Sequence, residues 1–366
     1  MSELQIALLS IGLVAIIAVY GFGWWQQRRY RRKFGAAFKA SHADALYHDS
    51  AAKPAEPGYQ SAQMSGEGLP EPVKESSGAV LPDQPCALLD ARSDFIIELQ
   101  LAEPGPAAVL VGLWQRKFDF GKPVQVCGLT LRPGSGQALA AQEWERAIAE
   151  SHTLYQRFRI ALQLVDRGGA ISAAKLADFR DLVLGVARHI KAQTTVPDIE
   201  VAYRNALELD AFCSRVDQMV GVNLIPPGDR LIRATDIAQA AGLHGMTLEA
   251  DGAFHMLDAH GHSLFSLINQ DTVPFQHHTL ETFATAGITL LLDVPRVEDP
   301  TLHFDQMMHV AGELAGELQA SVVNDQRVAL GASGLARTRA QVAGVEAGMR
   351  EHAIAPGSAQ ARRLFA

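Results

Sequence analysis

The chain has 366 residues, 48% of them hydrophobic and 20% charged, with a formal net charge of −8 and a pI near 5.9. This composition fits one to three globular domains and excludes a fibrous or wholly disordered protein. The acidic balance also excludes nucleic acid as the main partner, because phosphate binding rests on neutralisation by Lys and Arg.

The first element is the run from Leu4 to Trp25, LQIALLSIGLVAIIAVYGFGWW, which contains no charge. As a helix it would cross roughly 30 Å of hydrocarbon, so it is read as a transmembrane span. A cleaved signal peptide would need a basic n-region and a small-residue cleavage site, whereas here Glu3 precedes the apolar run. Arg28, Arg29, Arg31, Arg32 and Lys33 follow it directly. The positive-inside rule then puts the N-terminus outside and the rest of the chain in the cytoplasm, with Tyr20, Trp24 and Trp25 in the interfacial belt. Residues 1–34 thus form the membrane end. Residues 35–84 are poor in aliphatics and carry Pro/Gly-rich stretches such as Lys53 to Gly58 and Gly66 to Pro72. They are expected to be a flexible tether with a reach on the order of 35–45 Å.

Beyond Gln84 the pattern repeats. A strand from Phe95 to Leu101 leads through Pro104-Gly105-Pro106 into a helical stretch ending near Trp114, and Phe158 to Val165 is a strand before a helix from Ser172 to Ile190. The second copy runs from a strand, Val216 to Leu224, into a helix, Leu231 to Ala241, and ends with a strand from Ile288 to Pro295 and a helix from Thr301 to Leu318. Asp251-Gly252 and the Asp258 to His262 segment are turn signals that frame a hairpin, Ala253–Leu257 with Ser263–Gln270. The pattern predicts an α+β fold of antiparallel sheets with helices packed on one face. It is organised as two tandem related domains at 86–205 and 210–330, or one merged domain, followed by a C-terminal helix and tail at 331–366. Alternation points Phe265, Leu267, Ile288, Leu290, Leu292 and Val294 at the helices. Leu264, Ser266, Ile268, Gln270, Thr289 and Leu291 then lie on a bare opposite face, and three large aliphatics there fit a ligand better than water.

Chemistry for turnover is missing from this pattern. Cys86, Cys127 and Cys213 have spacings that suit neither a disulfide framework nor a zinc site, which fits a reducing compartment. Cys213 reads as a buried structural thiol. His255, His260, His262, His277 and His278 lack metal-ligand spacing and read as solvated turn residues. The sequence contains no P-loop, nucleophile elbow or dinucleotide-binding glycine pattern. No enzyme, metal, cofactor or small-molecule substrate is implied.

The apolar N-terminal run, the linker, Leu264-Phe265-Ser266-Leu267-Ile268-Asn269, Gly287-Ile288-Thr289-Leu290, Val294-Pro295 and Asn324-Asp325-Gln326-Arg327 together resemble the ZipA family. These bacterial division proteins anchor the tubulin-like FtsZ to the inner membrane, and the resemblance runs from about Val216 to Arg327. It implies a six-stranded antiparallel sheet on three helices, whose open face takes the C-terminal tail peptide of FtsZ. It also implies a groove of Ile268, Gln270 and Thr272 on one strand, Thr289 and Leu291 on the next, and Ala253 on a third. On the first strand either Val216 or Met219 faces the groove, with Met219 favoured. Where the family usually has methionine and phenylalanine this chain has Gln270 and Leu291, so the groove is expected to be smaller and more polar. The alternative is a non-catalytic scaffold that joins other division or envelope proteins.

Overall fold

The computed structural model describes residues 86, 89–132, 141–271 and 273–366; the expected membrane span and linker lie outside them. Strand β1 (Asp94–Pro106) sets the pattern for the first sheet, because its alternate residues Phe95, Ile97, Leu99 and Leu101 are aliphatic or aromatic and all are buried. A 3-10 turn at Ala107–Leu110 leads into the short helix α1 (Val111–Arg116). Strands β2 (Val124–Arg132), β3 (Ala141–Arg146) and β4 (Leu154–Gln163) follow, then a small hairpin of β5 (Val165–Asp166) and β6 (Gly169–Ala170). Helix α2 (Ala173–His189) starts where the Ser172 hydroxyl accepts from the Lys175 N–H, β7 (Gln193–Thr195) comes next, and α3 (Ile199–Val216) starts where the Asp198 carboxylate accepts from the Val201 N–H. The sheet order is β3-β2-β4-β1-β7, antiparallel throughout.

The second sheet starts with β8 (Met219–Ile225), followed by β9 (Ile232–Arg233), α4 (Ala234–Leu243), β10 (Thr247–Leu248), β11 (Phe254–Leu257), β12 (Ser263–Asn269), β13 (Ala284–Thr285) and β14 (Ile288–Asp293). After a 3-10 turn at Val294–Arg296 come α5 (Pro300–Glu317), β15 (Ser321–Val323), α6 (Ala332–Glu351) and α7 (Ala359–Leu364). Six strands pair antiparallel in the order β10-β11-β12-β14-β8-β15. Ile237 and Ala241 of α4, Met307, Ala311 and Leu314 of α5, and Val342 of α6 share a core with Val222, Leu267, Leu290 and Leu292. This is the α+β layering expected from the alternation, with the helices on one face.

The repeat is partial. Strands β4-β1-β7 are arranged like β14-β8-β15, but the hairpin joins the first sheet through its leading strand β2 and the second through its trailing strand β12. Val216, read from sequence as the start of a strand, is the last residue of α3 and packs in the first core. The α4 helix begins three residues after Leu231, because Ile232 and Arg233 pair with β13 first.

From Cys86 onward the chain lies within one compact unit, and two features hold the two cores together. Only Asp217 and Gln218 separate α3 from β8, and Arg167, at the tip of the β5–β6 hairpin, reaches Asp217 at 2.7 Å and Asp293 at 2.6 Å. The C-terminal segment also returns to the first core: Met349, Ile354, Ala361, Leu364 and Phe365 are buried among residues of β1, β4 and α2. Gly357 makes this return possible, since it adopts φ +69° and a Cβ there would come within 2.1 Å of the Glu298 nitrogen.

The cysteine reading is corrected by a disulfide between Cys86 and Cys127, whose Cα atoms are 5.8 Å apart. Spacing along the chain could not show it, because the pairing depends on β2 carrying Cys127 to the point where the chain enters the sheet. Closure of a span of 41 residues stabilises by about 4 kcal/mol in the chain-entropy picture. A clear fall in melting temperature is therefore expected on reduction or in Cys86→Ser; identical melting curves with and without reductant would count against it. Cys213 is buried as expected, and burial, reinforced by Asp210 and Asp217, pushes its thiol up to about 12.

Candidate functional site: the open face of the second sheet

Alternation along β8 places Val220, Val222 and Leu224 in the core and turns Met219, Gly221 and Asn223 to the opposite side. Of the two residues the sequence left open, Val216 lies in α3 and Met219 opens β8. Across the sheet, Ile268 of β12 pairs with Thr289 of β14, and Thr289 with Asn223 of β8; one row away Ser266 pairs with Leu291, and Leu291 with Gly221. The open face therefore gathers Met219, Ile268, Thr289 and Leu291 on three adjacent strands. Gln270 lies just beyond β12, its N–H donating to the Gly287 carbonyl at 3.1 Å. Ala253 immediately precedes β11 and is held by the Asp251 side chain, while Thr272 lies outside the described residues.

The face is less bare than alternation alone implies. Met219, Leu264, Ile268 and Gln270 are half-buried, but Leu291 is only 6% exposed, Ala253 6% and Thr289 5%. Strand β14 runs between β12 and β8, so its outward side chains are hemmed in on both sides, while those of the outer strands keep more free surface.

The middle of the face is polar and ordered. The Thr289 hydroxyl donates to Asn223 Oδ1 at 2.7 Å, and Asn223 Nδ2 donates to Asp325 Oδ1 at 3.0 Å. Asp325 is held there by its turn: the Asn324 side chain accepts from the N–H groups of Gln326 and Val328, and Arg327 takes the left-handed conformation at φ 60°. Sequence reading singled out Asn324 to Arg327 but did not place Asp325 or Asn223 at the groove. Asn223 was legible once Met219 was chosen, since it lies two alternations further along β8. Asp325 was not, because its position depends on β15 pairing at the sheet edge.

At the Met219 end, Asp293 pairs with Met219 in register and is bound to Arg167. Burial pushes the Asp293 carboxyl above the ordinary range against the pull of Arg167, and the two aspartates keep Arg167 firmly charged. Near β11, His255 is flanked by Asp251 at 3.0 Å and Ser263 at 2.7 Å. In the following turn the Asp258 carboxylate accepts from the N–H groups of His260 and His262, each at 2.8 Å.

The second sheet thus has a half-apolar face with an ordered polar centre, left open by the described helices of its core, which pack on the other side. Residues 218–341 match the family described as the ZipA C-terminal FtsZ-binding domain. The chain is 24% identical over 348 residues to the cell division protein ZipA of Shewanella oneidensis, covering 89% of this chain and 94% of that protein. It is 38% identical over 68 residues to the cell division protein ZipA of Colwellia psychrerythraea, a stretch that spans 18% of each. Residues 218–341 thus carry the hallmarks of a ZipA C-terminal FtsZ-binding domain, which indicates FtsZ as its partner, and the chain as a whole is similar to ZipA division proteins.

Proposed function

We propose that the chain is a membrane anchor for FtsZ and that the open face of the second sheet, lined by Met219, Ala253, Ile268, Gln270, Thr289 and Leu291, takes the C-terminal tail of FtsZ. The observation that carries the reading is the gathering of Met219, Ile268 and Leu291 around the Thr289–Asn223 pair on three hydrogen-bonded strands, inside the segment that matches the FtsZ-binding domain. Each apolar side chain desolvated by a bound tail contributes roughly 1.5–3 kcal/mol before ordering costs, so a groove of this size predicts micromolar affinity for one tail. A filament that presents many tails to many anchors then binds by avidity. Titration of a synthetic FtsZ tail peptide into the full-length chain by calorimetry tests the reading directly, and no heat of binding at millimolar peptide would remove it.

The anchor in this reading is the run from Leu4 to Trp25, with Tyr20, Trp24 and Trp25 at the interface and Arg28, Arg29, Arg31, Arg32 and Lys33 on the cytoplasmic side of the inner membrane. A topology reporter fused after Ala366 is expected to be active only in its cytoplasmic form; periplasmic activity would overturn both the orientation and the access to FtsZ. Residues 86–216 have a different role. The outward side of their sheet carries Glu98 bonded to Arg157 and Arg159, each at 2.8 Å, with Arg159 stacked over Trp144, so its centre is an ion-paired surface where the second sheet has the Thr289–Asn223 pair flanked by Met219, Ile268 and Leu291. They act as a rigid spacer between the tether and the groove.

A further inference from the structure

We propose that Asp325 reads a basic side chain on the bound peptide, so that the groove selects a tail with a lysine or arginine next to its apolar anchors. This rests on the reading of the open face as the FtsZ-tail site and adds a chemical requirement to it. The geometry that carries it is the relay ending on Asp325: Thr289 donates to Asn223 and Asn223 donates to Asp325, so both hydrogen bonds are aimed at the carboxylate. Thr289 and Asn223 are each 5% exposed, which fixes the donor in place, while Asp325 itself is exposed at the margin of the face. One neutral amide satisfies one oxygen and leaves the charge standing. Among the described residues no Lys, Arg or His pairs with Asp325, and Arg327, two residues on in the same turn, forms no ion pair with it.

The rest of the face offers an acidic peptide little. Arg167 is already shared between Asp217 and Asp293, and the His255 ring lies between Asp251 and Ser263. A cationic side chain arriving beside Asn223 would meet an oriented carboxylate with no described cationic partner, and an anionic one would be repelled.

Asp325→Asn separates this role from a structural one, because the asparagine oxygen still accepts from Asn223 while the charge is gone. With a fluorescent FtsZ tail peptide and the full-length chain at low salt, Asp325→Asn is expected to weaken binding roughly two- to five-fold, as an exposed charge pair does, and to flatten the salt dependence. Against a peptide with every Lys and Arg replaced by Gln, the variant and the wild type are expected to bind alike, both more weakly than wild type binds the native tail. Equal affinity of the two proteins for the native tail, with an unchanged salt slope, would overturn the role of Asp325 and leave the groove standing. Failure of the wild type to bind the native tail at all would overturn both.

Discussion

Ile268→Asp is expected to abolish binding of the FtsZ tail while moving the melting temperature by no more than a few degrees. Ile268 projects from β12 on the side away from the helices, is half-buried, and sits directly across from Thr289 at the centre of the face. A carboxylate there keeps most of its hydration in the free protein, so the fold loses little. A docked peptide would strip that hydration away and lose the apolar contact, a penalty of several kcal/mol that a micromolar interaction does not survive. Leu290→Asp is the matching control, since Leu290 is fully buried against α5 and its carboxylate would unfold the domain. Leu291→Asp is a weaker probe than alternation suggests: at 6% exposure it costs fold stability as well as binding. Unchanged tail affinity for a folded Ile268→Asp protein would move the binding site off this face.

Ending the chain after His352 is expected to unfold the first sheet. The deletion removes Ile354, Ala361, Leu364 and Phe365 from a core they share with Phe95, Leu162 and Phe179. Loss of Leu364 and Phe365 alone costs on the order of 5–10 kcal/mol by large-to-small precedents, comparable with the whole stability of a typical domain. Asp94 would lose Arg363, its partner at 2.5 Å, and its side chain is only 1% exposed, so a carboxylate would be left buried without its cation. Hydrogen exchange along β1 and β4 reads the effect; protection equal to that of the intact chain would show that the C-terminal segment is dispensable.

The sequence made some parts of this architecture legible and hid others for physical reasons. Period-two patterns with one buried side identify β1 and β12 directly, and a capped amphipathic run identifies α2, because burial on one face leaves a local signature. Ile268 and Leu291 were legible as a face for the same reason, whereas on the first strand the sequence left Val216 and Met219 as alternatives. How deeply each is covered was not, since that depends on strand order, and strand order placed β14 between two neighbours. The Cys86–Cys127 bond, the Arg167 clamp and the burial of Phe365 all join residues far apart in the chain. The Ala- and Gly-rich α6 buries only Val342 and Met349, one against each core, so its hydrophobic pattern is too sparse to announce either contact.

The two-residue junction between α3 and β8 bears on how the molecule carries load. A flexible joint at that point would let the second sheet swivel against the first, and a load on the open face would take up slack before reaching the first core. With Asp217 fixed by Arg167, and Arg167 also gripping the end of β14, a pull on the groove passes from β14 and β8 into α3 and the first sheet without an intervening hinge. A pull that arrives at Cys86 is delivered by the disulfide to Cys127, in a strand bonded on both edges, as well as to β1. The protein thus transmits direction as well as load: whatever occupies the open face keeps a set heading relative to the first sheet.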